Sequence, residues 1–242
     1  MLNARQLTEI ITDYCMENAN ESNVIRYSRY FKNGYDAYGL SQPQMENGAK
    51  DMLKLAGINL NIVLEAAPEL IRSGKYEKTS LILLLVRGFH KQYSREVFQE
   101  IARWYSFGIR NWAHADTLGM AILPRFLGNG IVQINDFRTW LNAENKFQRR
   151  SVPVTLIKSL KTHEDFPALF AFIECLMSDP EREVHQGTGW FLREAWKVNA
   201  TVTEKFLSKW KNSAPRLIFQ YATEKMTPEK KSEFKRDQRI NR

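Results

Sequence analysis

Apolar residues recur along the chain in three- and four-residue steps, interrupted by polar, glycine or proline punctuation every dozen to twenty or so residues. This is the rhythm of short and medium amphipathic helices joined by short connections. Asp179-Pro180-Glu181 reads as an N-cap, a proline at the first helical position and an acid in the first turn, and it predicts a helix running to about Asn199. Thr227-Pro228-Glu229 repeats that signal, and Asp165 and Asp136 are expected to cap helices over Phe166–Met177 and Phe137–Ala143. About a dozen helices are expected in all. Gly130–Ile134 is the one stretch with a hint of strand alternation. The predicted fold class is therefore all-α. Successive helices, each apolar on one face and none self-sufficient, predict an α-solenoid of stacked antiparallel pairs, forming a single domain over residues 1–242 with a basic helix or tail from about 228.

Composition adds limits. With 43% hydrophobic and 26% charged residues, the chain has the make-up of a globular protein and can bury a substantial core. The longest apolar run, Leu81 to Val86, is far shorter than the roughly 20 residues of a membrane span, so no membrane association is expected. The opening Met1-Leu2-Asn3-Ala4-Arg5-Gln6 lacks the features of a secretory signal, which predicts a cytoplasmic protein. Cys15 and Cys175 form no C-x-x-C pair and are expected to be buried or half-buried thiols; His90, His114, His163 and His185 form no ligand set. Neither metal nor organic cofactor is expected, and a monomer is.

A net charge of +8 suggests an anionic partner. A solenoid's concave surface lined with arginine and lysine would match a DNA duplex in width and charge. The final basic cluster, Lys230, Lys231, Lys235, Arg236, Arg239 and Arg242, reads as a solvated helix end or tail.

Three segments carry candidate chemistry. In Asn111-Trp112-Ala113-His114-Ala115-Asp116, Trp112 and Asp116 are four apart and share one face of a helix starting near Asn111. Alone, the pair is equally a core tryptophan with a capping or solvated aspartate. Phe147-Gln148-Arg149-Arg150-Ser151 opens a helical run with two arginines, suited to bidentate phosphate recognition or to a solvated surface. Gly187-Thr188-Gly189-Trp190-Phe191-Leu192-Arg193-Glu194 puts two glycines inside a helix, at about 1 kcal/mol each relative to alanine. Something must pack closely there, either another helix or a ligand backbone.

Together, W-x-x-x-D, the arginine-bearing helix start and G-W-x-L-R-E resemble, in order and spacing, the active-site elements of the AlkD-like DNA alkylation repair family, with similarity over about residues 5 to 225. Arg29 to Pro43 and Tyr76 to Arg87 resemble that family's N-terminal loop and following helix. The resemblance implies a HEAT-like solenoid with a basic concave face that acts on duplex DNA containing alkylated bases. It implies a monofunctional glycosylase hydrolysing the N-glycosidic bond of cationic N3- or N7-alkylated purines in base excision repair. By motif position it makes Asp116 the catalytic carboxylate, Trp112 and Trp190 aromatic walls around the damaged nucleotide, and Arg150, with Arg149 beside it, a contact to backbone phosphate.

The chemistry suits those groups. Alkylation has already placed positive charge on the ring, so the leaving base needs no general acid. A carboxylate can stabilise the oxocarbenium-like sugar and position water, and tryptophan faces add about 0.5 to 2 kcal/mol of cation–π attraction. The damaged nucleotide is implied to be extrahelical without a tight base pocket. Two departures stand out: Pro153 is expected to kink the helix carrying Arg150, and His114, between the key residues, is expected to be solvent-facing or structural. Lys146, the only lysine in the motif segments, reads as a surface residue, so no lyase step is expected. The rival readings are a non-catalytic HEAT-like protein that binds branched or damaged DNA, and a protein-interaction scaffold with a polar or acidic concave face.

Overall fold

The computed structural model of the chain describes residues 1–32 and 34–237. Arg239 and Arg242 of the terminal basic cluster lie outside them. The described residues form fourteen α-helices with short 3₁₀ and π segments, and no strand occurs among them. The all-α expectation holds, and short successive helices packed on one another within each unit fit a solenoid. Contacts divide the chain into two compact units, Met1–Ile131 and Val132–Arg242.

In the first unit, α1 (Ala4–Glu17), α2 (Glu21–Ser28), α3 (Gln42–Met52) and α4 (Leu60–Arg72) precede α5 (Tyr76–Gly88), against which α1, α3 and α4 pack. The Leu81–Val86 run explains that position. All six of its side chains are buried, so α5 is apolar all round and forms the centre of the unit. α6 (Arg95–Phe107), α7 (Trp112–Thr117) and α8 (Leu123–Gly128) complete it. Between α7 and α8, Leu118–Ile122 widens into a π turn, in which the Leu123 N–H donates to the Leu118 carbonyl. Pro124, which has no N–H to give, follows at the start of α8.

The second unit runs through a 3₁₀ segment Ile134–Asn142, α9 (Lys146–Leu156), α10 (Phe166–Ile173), α11 (Arg182–Val198), α12 (Ala200–Trp210), α13 (Arg216–Ala222) and α14 (Pro228–Glu233). α11 lies between α9 and α13, and its glycines permit this. A Cβ at Gly187 would sit 2.9 Å from the Arg150 Cγ of α9, and one at Gly189 would sit 2.6 Å from the Ile218 carbonyl oxygen of α13. The mid-helix glycines are therefore close-packing residues.

Several sequence expectations shift. Asp165 caps α10 and Thr227 caps α14. Asp179 does not cap α11: the N-cap is Glu181, because the Asp179 carboxylate is engaged by Arg149 and by the Glu181 N–H. Asp136 caps the 3₁₀ segment in place of an α-helix, and Gly130–Ile134 forms no strand. Cys15 is buried but Cys175 is exposed on a 3₁₀ turn. Among the described residues, no helix is long and apolar enough to cross a membrane.

Candidate functional site

The first unit presents its chemistry at the start of α7. Asn111 is the N-cap, accepting the His114 N–H on its side-chain oxygen at 2.9 Å. Its amide nitrogen also lies 2.9 Å from His114 Nδ1. The other ring nitrogen, Nε2, lies 3.0 Å from Ser80 Oγ and 3.1 Å from the Tyr76 carbonyl oxygen. A neutral ring with its proton on Nε2 satisfies this set, with Nδ1 accepting from Asn111 and Nε2–H donating to Tyr76. Burial, partly opposed by the Tyr76 bond, lowers the His114 pKa to about 4. His114 is not solvent-facing; it pins α7 to α5 and carries no charge at neutral pH.

That anchor fixes Trp112 and Asp116. Trp112 is 40% exposed. Its indole N–H donates to the Tyr30 carbonyl at 3.2 Å, and its ring stacks on Phe31 with centroids 5.7 Å apart. Phe31 stacks in turn on Tyr35 at 4.6 Å, and Tyr76 meets both rings edge-on or tilted. Asp116, one turn along α7, is half-buried and shares the Trp112 face.

The segment supplying Phe31 and Tyr35 is held by a buried carboxylate. Glu77 Oε1 accepts the Gly39 and Leu40 N–H groups at 2.7 and 3.1 Å, and Oε2 accepts the Tyr38 N–H at 2.8 Å. Gly39 makes the approach possible: its φ is +88°, and a Cβ there would lie 2.1 Å from the Asn20 carbonyl oxygen. The sequence reading missed this aromatic segment and its anchor. Tyr27, Tyr30, Phe31, Tyr35 and Tyr38, five aromatics within a dozen residues, were the signal that could have found it.

The second unit holds the remaining candidates. Arg149 forms a bidentate pair with Asp179, Nε to Oδ2 at 2.6 Å and Nη2 to Oδ1 at 3.2 Å, and Nη1 donates to the carbonyls of Ala143 and Glu144. Its guanidinium is thus directed at protein acceptors. Arg150 is 6% exposed, packs on Gly187 and donates from Nη1 to the Glu183 carbonyl at 2.7 Å. Pro153 sits inside α9, which stays helical from Lys146 to Leu156. Trp190 is half-buried on α11, next to the glycines that seat it. Lys146 pairs with Glu181 and Glu183 at 3.0 and 3.1 Å. Burial works against its charge, but those hydrogen bonds hold its pKa above the ordinary lysine value. Among the described residues, no three of His, Cys, Asp and Glu cluster as a metal site.

A family model described as DNA alkylation repair enzyme matches residues 15–226. A solved structure described as a predicted DNA alkylation repair enzyme from Enterococcus faecalis superposes with a TM-score of 0.73 at 17% identity, covering 87% of this chain and 98% of that one. At that identity the likeness concerns the fold. No curated protein matches the chain.

Proposed function

The chain belongs to the DNA alkylation repair enzyme family, and from that premise we propose that it is a monofunctional DNA glycosylase hydrolysing the N-glycosidic bond of cationic N3- or N7-alkylated purines in duplex DNA. The observation that carries the reading is the pairing on α7 of a half-exposed, ring-supported tryptophan with a carboxylate one turn away, on a helix anchored by a buried neutral histidine. Asp116 is the group we assign to the sugar, where positive charge develops as the base leaves. Trp112 offers its face to the cationic base, and Trp190 is proposed as a further aromatic contact to the DNA.

The phosphate role belongs to Arg150 or to neither arginine of the pair, since Arg149 is committed to Asp179. Lys146 is held protonated between two glutamates, which suits direct hydrolysis by water over attack by an amine.

The deciding experiment is release of N7-methylguanine from a duplex oligonucleotide by wild type and by Asp116→Asn at matched DNA occupancy. Release by wild type with a loss of about a hundredfold in the variant is expected. Tight binding with no release would replace the glycosylase with a non-catalytic protein that grips branched or damaged DNA.

A further inference from the structure

Within the first unit, a cleft of about 330 Å³ opens beside Trp112. Its walls are mainly aromatic: Tyr27, Tyr30, Phe31, Tyr35, Tyr76 and Trp112. The volume falls in the range of small-ligand sites, roughly 300 to 1,000 Å³. In a chain of net charge +8, none of the lining residues is Lys, Arg, Asp or Glu. A phosphate site would need the donors that this cleft lacks.

The electrostatics of the lining favour a cation. Ring faces carry the negative part of the aromatic quadrupole. The Glu77 carboxylate lies close enough to Tyr35 and Tyr76 to add to the burial that raises both phenol pKa values, so these hydroxyls stay protonated. Two of the rings already hold cations from outside: Arg26 lies 5.6 Å from the Tyr27 centroid and Arg29 lies 4.9 Å from the Tyr30 centroid. Both arginines are exposed. The arrangement is an uncharged aromatic interior with a basic rim, which fits a nucleotide whose base goes in and whose phosphates stay out.

We propose that this cleft receives the alkylated base itself, as a planar heteroaromatic cation held against Trp112 and Tyr30, with Arg26 and Arg29 at the rim facing backbone phosphate. The proposal rests on the glycosylase reading for its place in DNA repair and departs from the pocket-free handling of the nucleotide that the family resemblance implies. It also assigns the cleft an energetic role. When the C1′–N bond breaks, its electron pair stays on the ring nitrogen, neutralising the base, while water's oxygen bonds to C1′ and its proton goes to solvent. Attraction for the cation is therefore greatest before bond cleavage and fades through the transition state. Such a contact selects and holds substrate and lets the neutral product go; it lowers KM more than it raises kcat.

The test uses the full chain and two nucleosides differing in ring charge, 7-methylguanosine and guanosine, titrated by calorimetry at pH 6.5. The expected result is about tenfold tighter binding of 7-methylguanosine, within the cation–π range. Tyr30→Leu and Trp112→Leu, checked for fold by circular dichroism, should each lose most of that preference. Independently of any variant, amide resonances over residues 27–40 should shift with 7-methylguanosine in the wild-type protein. Equal affinities, or shifts confined to other segments, overturn the cleft. Excision of N7-methylguanine by a protein that binds both nucleosides equally removes the cleft and keeps the glycosylase; selective binding without excision does the reverse.

Discussion

Replacing Glu77 by glutamine tests whether one buried carboxylate holds the aromatic segment in place. Glu77 is fully buried, and its two oxygens accept three backbone N–H groups, from Tyr38, Gly39 and Leu40. Glutamine is nearly isosteric and can keep its oxygen toward Gly39 and Leu40. Its NH₂ then faces the Tyr38 N–H, donor against donor. A hydrogen bond to a charged group contributes about 1.5 to 3 kcal/mol, and the orphaned donor adds a cost of similar size. The neutral side chain no longer carries the penalty of burying a charge, which offsets part of the loss. A net destabilisation of about 2 kcal/mol follows, concentrated in the loop between α2 and α3. Urea unfolding would report the size, and native-state hydrogen exchange would report the place, with lost protection at Tyr38, Gly39 and Leu40. Because Phe31 and Tyr35 ride on that segment and Phe31 stacks on Trp112, base excision should also fall. A stability change under about 0.5 kcal/mol, with those amides still protected, would refute the anchoring role.

Gly189→Ala should destabilise the protein by about 1 to 3 kcal/mol, because the new methyl would lie 2.6 Å from the backbone oxygen of Ile218 and α13 would have to move. Gly187→Ala, whose nearest obstacle is the flexible Arg150 side chain at 2.9 Å, should cost less than Gly189→Ala in the same denaturation series. His114, lowered to about 4 in the fold against about 6.5 when unfolded, is neutral in the native state while the unfolded chain takes up a proton. Its contribution is therefore fully present above pH 6.5 and is lost as pH falls from there toward 4, a change of about 3 kcal/mol; His114→Gln should flatten that part of the stability–pH curve. Arg149→Ala should cost about 3 kcal/mol by leaving the buried Asp179 carboxylate unpaired, with the salt slope of DNA binding unchanged. A slope reduced by about one at full stability would instead mark Arg149 as a phosphate contact.

What the sequence makes legible is what lies within one helical turn. Trp112 and Asp116 share a face because four residues nearly complete a turn, and Asn111 announces the cap that starts it. The Gly187 and Gly189 pair is readable as close packing because mid-helix glycine is costly without such a reason. The features that stayed hidden depend on partners some 30 to 40 residues away. Asp179-Pro180-Glu181 has the local form of a cap, yet Asp179 is engaged by Arg149 thirty positions earlier, which turns that arginine inward and moves the cap to Glu181. His114 looks like a surface residue until Tyr76 and Ser80 of α5 close over it. Glu77 sits in an apolar helix where a lone acid reads as exposed; only the fold brings three backbone N–H groups to it. These hidden contacts share an effect: Glu77 and His114 position the aromatic stack and α7 from beneath. The W-x-x-x-D motif thus names the groups that would face substrate, while two buried polar residues outside that pair of positions hold the geometry, so a chain could keep Trp112 and Asp116 and still lose activity through Glu77 or His114.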